Sequence, residues 1–218
     1  MTAGTGKNFG RAMEILEDIG LLLVSGLEIP DVCRLVGATN IRGSWWGHPL
    51  GPEIFAVSEM LSDHLDVTVT KLISGKVTLV HRSLWSKLVA VGKGCDAWQL
   101  TTLSTEAKLL LSELGKKGHV RTDELGSKPG KKASEPAREL ELRLLVHAEQ
   151  FHSETGHHTK LLETWDHWAN RVKLRNKSLD ALRARNFLEK RVAEINDRYS
   201  GSGKLPWQEK QFLKVKRK

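Results

Sequence analysis

This 218-residue sequence has few of the residues that cross-link a chain or anchor it in a membrane. It holds two cysteines, Cys33 and Cys95, and they do not form a Cys-x-x-Cys pair, which is typical of a reducing compartment. No apolar run approaches the length that spans a bilayer, and no secretory apolar segment stands near the N-terminus. These absences predict a cytoplasmic protein that does not enter a membrane.

The motifs of the common hydrolases are also missing. The sequence has no Ser-His-Asp order, no Gly-x-Ser-x-Gly elbow and no His-Glu-x-x-His motif. Residues 4–7 (GTGK) carry two glycines and a lysine, but they lack the spacing and the Ser/Thr of a phosphate-binding loop. The sequence therefore offers no support for nucleophilic hydrolysis, and we predict no bound cofactor.

Positive charge is distributed unevenly along the chain. The formal net charge of +8 and the pI of about 9.5 are typical of a protein with a polyanionic partner. However, residues 1–114 carry a net charge of −2, whereas residues 115–133 carry +4, residues 134–203 carry +1 and residues 204–218 carry +5. Because a DNA-reading face should concentrate lysine and arginine, this placement weakens the simplest argument for nucleic acid.

The stretch from Gly43 to Trp85 organises the predicted fold. After Pro49, apolar residues recur at the spacing of one helix face, at Ile54, Val57, Leu61 and Leu65. Residues 66–72 and 76–80 are then rich in β-branched side chains, and the Ser74-Gly75 pair between them is a tight-turn signal. A helix followed by such a hairpin is the order of the recognition helix and wing in winged helix-turn-helix domains.

Shorter helical patterns surround this stretch. Two helices are predicted before it, from Asn8 to Ile19 and from Asp31 to Val36, which completes the helix count of a winged helix. After it, a helix from Arg82 to Val91 is followed by one from Thr105 to Leu114, closed by Gly115, and by an extended piece, HVRTDEL. This second round indicates part of another helix-turn-helix unit.

The C-terminal half is predicted to be helical. Residues 126–136 (GSKPGKKASEP) are expected to form an interdomain linker or a surface loop. One apolar helical face then fits residues 137–172, either as one helix or as two helices divided at Gly156, and a last helix runs from a Ser178 cap through Ile195. The predicted fold is mainly α with small β hairpins. Its parts are one or two winged-helix domains over 8–125, the linker, a helical C-terminal domain over 137–203 and a basic tail over 204–218.

Candidate DNA contacts cluster around the predicted third helix. Trp45, Trp46 and His48 precede that helix, where side chains can reach base edges or stack on a flipped base. Alternatively, one indole seals the core, although two adjacent side chains rarely both point inward. Basic residues near the hairpin are predicted phosphate contacts: Arg42, Lys71, Lys76, His81 and Arg82.

A second candidate site consists of His147, Glu154 and His158, which the helical pattern places on one side with several apolar residues. Polar groups within an apolar face must find partners. They could form a catalytic centre, either as an acid–base pair or as ligands of a divalent metal. The favoured alternative is a structural hydrogen-bonded network, because His/Glu spacing on one helix is a weak metal signal; no metal is assigned.

The chain resembles a family of small, largely uncharacterised bacterial proteins, at residues 43–85 and again at LLVHAEQFHSETGHHTKLLETWDHWA. Some of these are related to winged-helix DNA glycosylases that excise alkylated or crosslinked purines. Those glycosylases hold the hydrolytic water with a Gln-x-Gln or Gln-x-Asp motif. In this sequence Gln99 is followed by Leu100 and Thr101, and Gln150 by Phe151 and His152, so neither glutamine matches.

The leading expectation is a DNA-binding winged-helix protein related to base-excision repair, acting as a repair accessory or as a divergent glycosylase on double-stranded DNA. One alternative is a non-enzymatic protein-interaction module, since the wing region is net acidic. The other is a metal or acid–base enzyme centred on His147, Glu154 and His158.

Overall fold

The computed structural model describes residues 3–26, 28–37, 41, 44–124, 134–152, 158–175 and 179–209. The chain divides into two compact units: unit 1 comprises residues 1–85 and 186–205, and unit 2 comprises residues 86–185 and 206–218. Each unit mixes helices with one three-stranded antiparallel sheet. None of the helices in the described ranges is both long enough and apolar enough to cross a membrane.

Unit 1 begins with three helices and three strands. They are α1 (Ala3–Ile19), β1 (Leu21–Leu23), α2 (Val32–Gly37), α3 (Gly51–Ser62), β2 (Val67–Ile73) and β3 (Lys76–His81). The sheet order is β1-β3-β2. Ser74 and Gly75 both have positive φ, as the two central residues of a type I′ hairpin turn require. The three predicted helices and the predicted hairpin are confirmed, but the hairpin belongs to a three-stranded sheet.

One row of apolar side chains on the sheet of unit 1 packs against its helices. Leu22, Leu79 and Val69 lie opposite one another on the three strands, so they share a face of the sheet. They pack in one apolar cluster with residues of α1 and α3, including Leu16 and Leu61. Burial of this cluster supplies the main stabilisation of the unit.

Unit 2 contains a second sheet and several helices. Its elements are α5 (Ala97–Leu100), α6 (Thr105–Lys117), β4 (His119–Arg121), α7 (Ser134–Leu142), β5 (His147–His152), β6 (His158–Glu163) and α8 (Trp165–Arg171). Two further helices, α4 (Trp85–Lys93) and α9 (Ala181–Tyr199), contribute residues to both units. The sheet order is β4-β6-β5.

The two sheets have the same topology. In each unit a long helix ends at a glycine, Gly20 or Gly118, with φ near +80°, and a three-residue strand follows at once. Two helices in unit 1, α2 and α3, and the helix α7 in the described part of unit 2 then precede two longer strands, and the short strand pairs with the last strand. Val120, Leu162 and Ala148 form the inner row of unit 2, as Leu22, Leu79 and Val69 do in unit 1.

The helical pattern predicted for residues 137–172 is wrong between α7 and α8, where the structure has strands β5 and β6. Helix α7 ends because Leu144 adopts a left-handed conformation (φ +52°), and two hydrogen bonds close its last turn: Leu144 N to Glu141 O and Leu145 N to Leu140 O, both 3.0 Å. This is a Schellman ending, which usually carries glycine, so a leucine there gives no sequence signal. Strands β5 and β6 follow, and the predicted helical C-terminal domain is therefore partly sheet.

Two predicted boundaries change for physical reasons. The helix expected to close at Gly115 continues to Lys117, because Gly118 supplies the positive φ that ends it. The last helix begins at Ala181, where the Asp180 carboxylate accepts a hydrogen bond from Arg183 N. The predicted Ser178 cap lies outside the described residues, as do most of the predicted linker and tail.

Candidate functional site

An exposed aromatic surface lies before α3 in unit 1. Trp45 is half-buried and packs on the core of the unit, whereas Trp46 is 68% exposed. The two indoles are stacked, with ring centroids 4.2 Å apart and an interplanar angle of 21°. The exposed ring of Phe55, one turn into α3, lies 5.8 Å from that of Trp46. One indole therefore points inward and supports a second that meets solvent.

Backbone geometry fixes this aromatic surface. Trp45–Gly47 form a single turn of 3₁₀ helix, and His48 N donates to Trp45 O at 3.0 Å. The His48 Nδ1 accepts a hydrogen bond from Leu50 N at 3.2 Å, which ties the turn to the start of α3. A Cβ at Gly51 would lie 2.9 Å from Trp45 O, so only glycine allows the turn to fold back this closely.

The predicted phosphate contacts of unit 1 are largely engaged. Lys76 forms an ion pair with Glu28, and Arg82 forms one with Asp66, both at 2.7 Å. The His81 Nδ1 lies 3.0 Å from Ser83 Oγ. Lys71 lies half-buried on β2, and Arg42 is outside the described residues. The positive charges near the hairpin are therefore offset by carboxylates.

Unit 2 contains a second cluster, built on the outer face of its sheet. His119 of β4, Glu163 of β6 and His147 of β5 lie directly opposite one another. Side chains in such a row project from the same face. Helix α8 starts immediately after β6, with Thr164 as its cap, and adds His167 and Arg171 to this face. We call these five residues the polar row.

The Glu163 carboxylate is fully buried and saturated with donors. Its Oε1 accepts from Arg171 Nε at 3.0 Å and lies 2.8 Å from His167 Nδ1. Its Oε2 accepts from Arg171 Nη2 at 2.6 Å and lies 3.5 Å from His147 Nδ1. Burial raises the pKa of this carboxyl, but the hydrogen bonds from His147, Arg171 and His167 outweigh burial and lower its pKa to about 2.

The two imidazoles beside Glu163 differ in their access to solvent. His147 is buried, with its ring stacked on Trp168 at 4.9 Å and edge-on to Trp165. The His167 side chain is 38% exposed, and its ring lies 4.8 Å from that of the exposed His119. Because an ionised carboxylate only accepts hydrogen bonds, it favours the tautomer of His167 with the proton on Nδ1, which leaves Nε2 as a base.

A divalent metal is disfavoured at this cluster. Ligand atoms of His147, Glu149 and Glu163 lie within 4.8 Å of one another, which is close enough to share an ion. However, Arg171 Nη2 donates to Oε2 of both glutamates at 2.6 Å. The guanidinium thus already bridges the two carboxylates, and a cation placed there would have to displace it.

The predicted catalytic set is only partly represented. His147 belongs to the polar row, but it starts a strand instead of lying on a helix face. His158 is the first residue of β6, and Glu154 lies outside the described residues. Glu163, His167 and Arg171 were not predicted, although their spacing of four residues, Glu-x₃-His-x₃-Arg, places the three side chains on one side of a helix and was the available signal.

No protein-family model, no curated protein and no solved structure matches this chain.

Proposed function

We propose that the chain binds DNA through unit 1, and that Trp46 stacks on a base that is unpaired or flipped out of the helix. The order α1-β1-α2-α3-β2-β3 supports a winged-helix interpretation, with α3 as the recognition helix and the β2–β3 hairpin as the wing. The N-terminal end of such a helix is the part that meets base edges. Trp46 and Phe55 are at that end.

The observation that carries this proposal is the exposure of Trp46. A large aromatic side chain left in water gives up the free energy that its burial would supply. Trp46 is also held in place, because it stacks on the half-buried Trp45. A fixed, exposed indole loses little entropy when a base stacks on it, and such a contact is worth about 1–3 kcal/mol.

The charges of unit 1 favour base stacking over phosphate binding. Lys76 and Arg82 would have to leave Glu28 and Asp66 before they could neutralise phosphates fully. Electrostatic affinity for an intact duplex is therefore reduced, although it should still fall between low and physiological salt. We expect tighter binding to a duplex with one unpaired base than to a fully paired duplex of the same length.

Fluorescence anisotropy with labelled oligonucleotides tests the proposal. Trp46→Ala should weaken binding to the duplex with an unpaired base by about 10-fold or more, since stacking contributes about 1–3 kcal/mol. Leu109→Ala is the matched control, because Leu109 is a large apolar side chain of unit 2 that is 67% exposed. The proposal fails if no DNA binds at low salt, or if both variants bind like the unmodified protein.

The proposed link to base repair has less support than the proposal of DNA binding. It depends on the resemblance of residues 43–85 to proteins related to winged-helix glycosylases. The same aromatic surface is also of the kind that forms hot spots in protein interfaces. If no DNA binds at low salt, the interaction-module alternative replaces DNA binding.

A further inference from the structure

We propose that unit 2 carries a separate hydrolytic site for neutral carboxylic esters, in which His167 is the general base, Glu163 positions it and Arg171 binds the ester oxygen. The site lies within unit 2 and does not depend on DNA binding by unit 1. Three observations support this assignment: unit 1 builds the same sheet topology without these residues, Glu163 holds the His167 ring in one orientation, and the net charge of the cluster favours an uncharged substrate.

The equivalent positions in the sheet of unit 1 carry no ionisable side chains. In unit 1 the row that corresponds to His119, Glu163 and His147 consists of Leu21, Val80 and Thr68. All three of those side chains are buried. The same strand order, register and preceding glycine are therefore compatible with a row of two aliphatic side chains and one threonine, without any ionisable group. A buried carboxylate at Glu163 is costly to desolvate, and the topology offers no reason for it.

Glu163 and Gly118 hold the His167 ring in place. The 2.8 Å contact between Nδ1 and Glu163 Oε1 fixes the ring and its tautomer, as a carboxylate does for the base in a hydrolytic triad. Gly118 packs against the ring edge, since a Cβ there would lie 3.0 Å from His167 Cδ2. The Nε2 atom is thereby held on a half-exposed side chain, where a water molecule can donate a proton to it.

Arg171 and the carboxylates bonded to it determine which substrates fit this site. Arg171 uses Nε and Nη2 for carboxylates, and among the described residues its Nη1 makes no hydrogen bond, while its side chain is 40% exposed. This group can donate to a carbonyl oxygen that becomes negative during reaction. Glu149, Glu163 and Arg171 together carry a charge of −1, which repels phosphate esters and accepts an uncharged ester.

The reaction follows from these positions. Water donates a proton to His167 Nε2 while its oxygen bonds to the acyl carbon, and the carbonyl electrons move to the oxygen that Arg171 stabilises. The intermediate then expels the alcohol oxygen, which takes the proton back from His167. One ester and one water give one carboxylic acid and one alcohol, and the protein is unchanged.

Hydrolysis of p-nitrophenyl acetate by the untagged full-length chain tests the assignment. His167→Ala should lower the protein-dependent kcat/KM by about 100-fold, the scale of a lost general base. His64→Ala is the control for adventitious imidazoles, because His64 is half-buried in unit 1 and accepts a hydrogen bond from the backbone N–H of Asp66, with no carboxylate bonded to it among the described residues. Equal rates for the unmodified chain and His167→Ala overturn the proposal, as does faster hydrolysis of anionic bis(p-nitrophenyl) phosphate.

Glu163→Gln separates positioning from a structural role. Because Glu163 does not touch the substrate, this variant should lower kcat while leaving KM unchanged, and ¹⁵N NMR of the His167 ring should show a changed tautomer ratio. Urea unfolding of Glu163→Gln accompanies the kinetics, so that a lower kcat can be told apart from a loss of folded protein. Unchanged kcat and an unchanged tautomer ratio in Glu163→Gln would mean that Glu163 has only a structural role and would overturn the proposal.

Discussion

Units 1 and 2 carry different side chains at equivalent positions of their two sheets. In unit 1 the outer row is Leu21, Val80 and Thr68, whereas in unit 2 it is His119, Glu163 and His147. The inner rows, which face the helices, are apolar in both units. The common features therefore belong to the fold, and the difference between the outer rows is the part of unit 2 that the fold leaves to function.

The elements that follow the last strand extend this comparison. His81 in unit 1 and Thr164 in unit 2 each cap the next helical turn and donate their backbone N–H to the carbonyl of the glycine before the short strand. A buried tryptophan, Trp85 or Trp168, follows four residues later. Trp85 donates Nε1 to Val80 O, while Trp168 stacks on His147. The tryptophan at this position thus holds the backbone of the last strand in unit 1 and packs on a buried histidine in unit 2.

Removal of the central residue of each outer row should give the largest effect. Glu163→Ala leaves His167 and Arg171 without the carboxylate that they share, and breaking a buried ionic network by deleting one partner costs about 3 kcal/mol. Val80→Ala loses only packing, at about 1–2 kcal/mol. Urea unfolding monitored by hydrogen exchange in each unit measures both. A smaller loss for Glu163→Ala than for Val80→Ala would contradict the network.

The contributions of Glu163 and Asp31 to stability should change in opposite directions as the pH falls. The folded pKa of Glu163, about 2, lies below its ordinary value of 4.5, so its contribution is present above pH 4.5 and is lost as the pH falls toward 2. At pH 7 this contribution is about 3 kcal/mol. In unit 1, burial raises the pKa of Asp31 above 3.8, so its contribution is largest below that pH and is lost as the pH rises.

Hydrogen exchange at pH 7 and pH 3.5, corrected for intrinsic exchange rates, measures this separation. Amides of β5 and β6 should lose protection at the lower pH before those of β2 and β3. Glu163→Gln serves as the control, because it removes the titrating group and should make the acid sensitivity of unit 2 resemble that of unit 1. Earlier loss of protection in unit 1 would contradict the assigned pKa shifts.

The glycines that end α1 and α6 provide a smaller contrast. An alanine at either Gly20 or Gly118 must adopt φ near +80°, which costs about 1–2 kcal/mol. At Gly20 the added Cβ would also lie 2.6 Å from the buried Leu84, whereas at Gly118 the nearest atom is 3.0 Å away, on the half-exposed His167 ring. Gly20→Ala should therefore lower the melting temperature more than Gly118→Ala. A larger loss for Gly118→Ala would mean that the His167 ring is held more rigidly than its exposure implies.

How much of this could be predicted from the sequence differs between the two units. In unit 1 the Ser74-Gly75 turn and the β-branched strands gave local signals, so the hairpin and its helices were predicted correctly. In unit 2 the Schellman ending at Leu144 carries no glycine, and β5 and β6 contain few β-branched residues, so a helical period fitted them by chance.

The candidate sites follow the same division. Trp46 is next to Trp45 in the chain, and two adjacent side chains rarely both point inward. The adjacent pair was therefore enough to predict one exposed indole. Glu163 meets His119 and His147 only through strand register, which the sequence specifies once the strands are known. His147 was selected because a polar residue stood among apolar ones, and its partners remained hidden until the sheet was in place.

The smallest effect on stability should come from the proposed DNA site. Trp46 is 68% exposed and does not fill the core, so Trp46→Ala should change the free energy of unfolding by no more than about 0.5 kcal/mol. Leu109→Ala in unit 2 should do the same. Trp45→Ala, in contrast, removes a side chain that packs on the core and should cost more. Unit 1 would then carry a surface residue that can be truncated with little cost to folding, whereas Glu163 and His147 of the polar row are buried in unit 2 and tied to its stability. A Trp46→Ala variant as unstable as Glu163→Ala would remove that contrast, because the indole would then be part of the fold instead of a surface left available for a base.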